Sequence, residues 1–189
     1  VGDCAADNLM EHLAAQSEGI RRLAVCRMDV DDLGKAFVAG FEAPGETDPA
    51  KRYHYVTLSR TAAFSRQMSL FFQGHINAIL PGQYGDRKPL AVSVVYSGGD
   101  DVFLVGAWNG VIEAANRIQE AFSAYTCGAL TISGGIGIFD DHYPIRAAAG
   151  LTAALEERAK DEPGKNAISL FDPQAAHTYG WETFRRAVC

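Results

Sequence analysis

The sequence predicts an α+β fold, an antiparallel sheet carrying helices on one face, and three observations predict it. Short β-branched, apolar runs alternate with segments of helical period in the order β-α-β-β-α-β. Two of those runs, residues 90–96 and 102–106, flank Ser97-Gly98-Gly99-Asp100-Asp101, whose residues tolerate positive φ and so predict a hairpin. The chain has 189 residues, 48% hydrophobic and 10% aromatic, which is enough to fill one domain core.

The elements follow in order. Residues 5–16, with Leu9, Leu13 and several alanines, predict a short helix in a lead-in segment over 1–20. Residues 22–28 (RLAVCRM) are too short for a helix and apolar enough for a buried strand, which ends at Asp29-Val30-Asp31-Asp32. Pro44, Gly45 and Pro49 make 41–51 a loop. Phe64, Met68, Phe72, Ile76 and Leu80 recur every four residues and predict a helix over about 56–80, stopped by Pro81-Gly82. After the loop 81–89 and the hairpin, Val111, Ala115, Ile118 and Phe122 mark a second helix. Residues 130–138 (LTISGGIGI at 130–138) predict a strand loosened by glycines. An extra helix over 144–160, with Pro144 in its first turn, and an extra strand at 167–171 follow. This is the split βαβ, ferredoxin-like arrangement. The domain is expected over 21–172, with Trp181 and Phe184 opening a truncated helical region at 173–189.

Composition narrows the function. With 17 Lys and Arg against 23 Asp and Glu, the net charge is −6 and argues against a basic surface for non-specific binding of a nucleic-acid backbone. Cys4, Cys26, Cys127 and Cys189 show no zinc-ribbon spacing and fit reduced thiols in a cytoplasmic protein. No apolar run approaches the ~20 residues that span a bilayer, so no membrane is expected. A start at Val1 is expected of a piece of a longer protein.

Two acidic clusters carry the chemistry: Asp29 at a strand end and Asp100-Asp101 at the hairpin. In this topology the first strand and the hairpin are neighbours, so the carboxylates converge as hard oxygen ligands for Mg²⁺ or Mn²⁺. Gly98-Gly99 breaks the alternation that would otherwise point Asp100 and Asp101 apart, and lets a nucleotide approach the backbone. Each cluster also has a plainer reading, a turn former at the hairpin and a helix cap at Asp31 or Asp32. Lys160 and Lys165 flank a turn before the last strand, either as cations for β- and γ-phosphates or as a solvated helix end.

The strings RMDVDDLGKAF, LSRTAAFSRQMSLFFQGHINAIL, YSGGDDVFLVGAW, TISGGIGI and AK…GKNAISLF, in this order, resemble the palm domain of the large subunit of type III CRISPR effector complexes, most of all the III-A branch. The resemblance implies a nucleotide cyclase-like palm, similar to GGDEF domains, that joins ATP into cyclic oligoadenylates by two-metal phosphoryl transfer when the complex binds target RNA. It implies Asp29, Asp100 and Asp101 as catalytic metal ligands, with the Val30 carbonyl beside them. It implies Lys160 and Lys165 on the triphosphate, Ser97, Gly98 and Gly99 at the nucleotide, and Ser97 or Ser133 reading the base. The implied partners are the other subunits with guide and target RNA, and a homodimer is a further expectation.

The sequence also departs from the family. None of the histidines, His12, His54, His75, His142 and His177, is followed by Asp, so the family's His-Asp nuclease pair is not expected here. A diguanylate cyclase shares the fold, but GGDD replaces GGDEF and Phe37 replaces the guanine-reading asparagine. A non-catalytic scaffold palm is the remaining alternative, and retention of all three aspartates speaks against it.

Overall fold

The computed structural model describes residues 10–188 apart from 44, 83–87, 175 and 176. Cys4, Cys189, Pro44 and the start of the lead-in therefore lie outside the described residues. One mixed sheet of six strands organises the fold, in the order β2-β3-β1-β4-β5-β6: β1 Leu23–Val30, β2 Val92–Gly98, β3 Asp101–Ala107, β4 Ile132–Phe139, β5 Ala167–Leu170 and β6 His177–Gly180. The helices are α1 Met10–Ala15, α2 Leu33–Ala39, α3 Pro49–Arg52, α4 Leu58–Leu70, α5 Ile76–Ile79, α6 Trp108–Tyr125, α7 Ile145–Asp161 and α8 Trp181–Val188. The βαββαβ order and the α+β class stand as expected. No helix of the described residues is long and apolar enough to cross a membrane.

The four strands β2-β3-β1-β4 pair antiparallel as expected, and the extra elements build on them: α7 carries the chain back over the sheet and delivers β5 parallel to β4, with Gly134 opposite Ile168. The extra helix α7, with α1, covers the second face of the sheet. Ala24, Cys26, Met28 and Val30 join a large core with Val111, Ile118 and Phe122 of α6. Leu23 and Val25 point the other way, into a smaller core with Leu13 of α1 and Ala148 of α7. A strand covered on both faces reads as a continuous apolar run, which is what residues 23–26 are.

Glycine at 135 makes the second layer fit. A Cβ there would stand 2.6 Å from the Glu156 nitrogen and 2.7 Å from the Thr152 carbonyl oxygen, so the backbone of α7 rests directly on β4. The sheet and its large core also run past the boundary expected at 172. β6 pairs with β5, Trp181 and Phe184 are buried, and the Trp181 indole donates to the Ile132 carbonyl at 2.8 Å. The long helix expected over 56–80 is continuous from α4 to α5 through one π-helical turn, Phe71–His75.

Candidate active site

β1 ends in the middle of the sheet, and its last residues face both neighbours. Asp29 lies opposite Asp101 on β3 and opposite Ser133 on β4, so Asp29 and Asp101 share the face that α7 covers. Asp100 sits in the turn itself, and its carbonyl accepts the Val30 amide at 3.1 Å, which fastens the hairpin tip to the end of β1. Gly99, at the first central turn position, has φ +70°, the conformation a two-residue hairpin turn requires there.

The site is a region of competing charge. Burial pushes the Asp29 carboxyl above its usual range, the Lys160 ammonium pulls it the other way, and Asp100 pushes it up again. Burial, with the Asp100 charge, also raises Asp101, against the pull of Arg27. The Lys160 ammonium lies directly on Asp29 and 2.9 Å from Glu156, whose other oxygen accepts from Arg27 Nε at 2.8 Å. Burial disfavours the Lys160 charge, but these two carboxylates outweigh it and hold the ammonium above its ordinary value. Sequence reasoning missed Glu156 and Arg27; four-residue spacing from Lys160 was the available signal for Glu156.

Lys165 is brought in by a strained turn. Lys165 and Asn166 have φ 52° and 51°, and the Lys165 ammonium reaches Asp32 at 2.9 Å. Asp32 also pairs with Lys35 at 2.8 Å, and the two hydrogen bonds hold its carboxyl down at about 2. Asp32 stands at the N-cap of α2 but makes no cap hydrogen bond, so the capping alternative does not hold for it. Buried Asp31 braces the turn: its Oδ2 accepts from Thr131 Oγ1 at 2.7 Å, Ser133 Oγ at 3.0 Å and the Asn166 amide at 3.1 Å. Ser133 is fully buried in that network, which removes it from any base-reading role.

Ser97 also stands apart from the site, and the cause is a β-bulge. Val94 pairs with Leu104 while Tyr96 pairs with Phe103, leaving Val95 as the extra residue. A one-residue slip turns every following side chain over. Ser97 consequently faces the large core and donates to the Phe72 carbonyl at 2.5 Å within the π-helical turn. Tyr96 takes the face of the carboxylates instead, where its hydroxyl meets Asp101. At the position where diguanylate cyclases read guanine, Phe37 packs edge-on against Phe64 with centroids 4.8 Å apart.

The donor set fits a hard divalent cation. Asp29 and Asp101 are in register, destabilised by burial and like charge, and offer oxygens alone. Among the described residues no three acidic, His or Cys side chains stand close enough to hold a metal by themselves. Mg²⁺ sites in general use one or two carboxylates and complete their shell with substrate phosphates and water.

Residues 22–169 match the family description "Cas10/Cmr2, second palm domain". A protein of Mycobacterium tuberculosis called CRISPR system single-strand-specific deoxyribonuclease Cas10/Csm1 (subtype III-A) is 45% identical over 189 residues, covering 96% of this chain and 22% of that protein. Its namesake in Streptococcus thermophilus is 43% identical, with 97% and 23% covered. The chain thus spans under a quarter of the length of these curated relatives. A Csm1-Csm4 cassette solved in complex with cA4 superposes with a TM-score of 0.77 at 34% identity, over 94% of this chain and 25% of that one. A cassette solved with one ATP gives a TM-score of 0.75 at 35% identity over the same shares.

Proposed function

The chain belongs to the family of Cas10/Cmr2 second palm domains, and from that premise we propose that it joins ATP into cyclic oligoadenylates. In this reading it works in the cytoplasm as part of a type III-A effector with a Csm4-type subunit, guide RNA and target RNA. The observation that carries the proposal is the pair Asp29 and Asp101, in register on one face with Lys160 against them. Solved relatives that hold ATP, cA3 and cA4 support the choice of adenine over guanine.

The reaction forms a bond from a ribose 3′-oxygen to the α-phosphorus of a second ATP. The bond to the α–β bridging oxygen breaks, pyrophosphate leaves with the electron pair, and the hydroxyl proton passes to water. Mg²⁺ or Mn²⁺, when bound, supplies charge neutralisation for the attacking and leaving oxygens. Asp29, Asp100 and Asp101 would hold the metal ions, with the Val30 carbonyl beside them at the strand end. Lys160 leaves Asp29 for the triphosphate, keeping Glu156 behind it, and Lys165 reaches the same phosphates from its turn. Gly98 and Gly99 leave the backbone open to the nucleotide. Positioning and charge account for most of the rate in such transfers, so no side-chain base is required. The deoxyribonuclease activity in the relatives' names is not assigned to this chain.

The test is the double variant Asp100→Ala, Asp101→Ala in the assembled effector. Oligoadenylate synthesis from ATP with Mn²⁺ should vanish while target RNA binding stays near wild type. Unchanged synthesis would overturn the assignment, and an equal collapse of RNA binding would make the hairpin a structural element.

A further inference from the structure

The chemistry needs two nucleotides, and the residues described so far account for the triphosphate of only one. Across the face covered by α7 the groups are ordered. Lys160 comes from α7, Asp29 and Asp101 from the centre, and Tyr96 from β2 at the open edge, while Lys165 stands apart at Asp32 beyond the end of β1. In-line displacement requires the attacking oxygen to approach opposite the leaving pyrophosphate. With Lys160 on one side of the carboxylates, the attacking ribose comes from the other side, where Tyr96 stands.

Tyr96 is built for that position. The bulge at Val95 turns it out of the core and onto the site face, and its side chain is 49% exposed although its strand neighbours Val92 and Val94 are buried. Its hydroxyl is tethered to Asp101 and, at 3.3 Å, to the Gly98 carbonyl, so the ring is held in place without being covered. A fixed, uncovered aromatic ring beside a phosphoryl-transfer centre is a surface on which a base stacks.

We propose that Tyr96 forms the acceptor subsite, stacking on the adenine of the nucleotide whose 3′-hydroxyl attacks; this rests on the oligoadenylate reading. The test compares Tyr96→Phe with Tyr96→Leu in the assembled effector. The probe for the acceptor side is the dinucleotide ApA, bound in the presence of Mn²⁺ and absence of triphosphate. Tyr96→Leu should weaken ApA about tenfold or more, and Tyr96→Phe less than about twofold. Affinity for a non-hydrolysable ATP analogue at limiting concentration, which reads the donor side, should be unchanged in both. Loss in Tyr96→Phe equal to that in Tyr96→Leu would mean that the hydroxyl acts through Asp101 and would overturn stacking. Equal loss of the ATP analogue, or no loss of ApA, would overturn the subsite as well. Tyr96-dependent ApA binding in an effector that makes no oligoadenylate would leave the subsite standing and refute the catalytic reading.

Discussion

Asp29 and Asp101 face each other across β1 and β3 with both carboxyls held above the ordinary aspartate range. A carboxyl raised by folding contributes most to stability below its unfolded pKa of about 3.9, and that contribution is lost as pH rises through its folded value. Asp101→Asn should therefore raise the Tm of the metal-free protein at pH 7, on the order of 1–2 °C given the partial exposure. The gain should disappear by about pH 4. Asp32 has the opposite sign: its ion pairs contribute above the unfolded pKa and fail as pH falls toward about 2. Thermal melts across pH 3–8, roughly the carboxylate window, check both.

Nucleotide binding should be visible as stabilisation. At a hundred times its dissociation constant ATP with Mn²⁺ adds about 2.7 kcal/mol, or roughly 5–10 °C for a domain of this size. The shift should exceed that with GTP and be absent from Asp100→Ala, Asp101→Ala. A larger shift with GTP would favour diguanylate chemistry.

Gly135→Ala should drive α7 off β4, because its new methyl would meet backbone atoms at 2.6–2.7 Å. The expected cost is about 1–3 kcal/mol. Gly137→Ala meets the far edge of the Phe139 ring, which can rotate away, so it should cost less. Denaturant titrations separate the two, and Gly135→Ala should also weaken ATP binding by moving Lys160.

Glu156→Gln removes the carboxylate shared by Arg27 and Lys160. Both cations are partly exposed, so the cost should be about 1–2 kcal/mol rather than that of a fully buried pair. Added salt should narrow the gap to wild type, as read by urea midpoints.

Trp181→Ala should cost about 3–5 kcal/mol by emptying a filled core position and orphaning the Ile132 carbonyl. Cutting the chain after residue 172 should do more damage still, since it also strips β6 from β5. Loss of a cooperative melt in the truncated chain is the measurement.

Most of the architecture was legible because periodicity reports which side of an element is buried. Residues 64, 68, 72, 76 and 80 marked a helix that forms, and GGDD marked a hairpin that forms. The second helical layer was signalled by the unbroken apolar run of β1 and by glycines that read only as weakness in β4. Convergence of Asp29 with Asp101 followed from topology alone. Ser97 could not be placed, since nothing in VSVVYSG announces which residue bulges, and its facing turns on that single insertion. Glu156 was hidden among the polar residues of an amphipathic helix, where one inward carboxylate looks like its solvated neighbours. The bracing role of Ser133 was hidden because its partner Asp31 is two residues beyond Asp29 and is buried.

The extra residue at Val95 uncouples the length of β2 from what the sheet offers to a ligand. Deleting one residue between 92 and 95 would close the bulge and leave Tyr96 opposite Phe103 and Ser97 opposite Val102, so the phenol and the serine hydroxyl would keep their present faces. A lineage could thus shorten the strand by a single in-frame deletion and still present the same flat, stacking group, with the hairpin codons untouched. Selectivity in such a fold is buffered against a change in residue count and drifts by substitution instead.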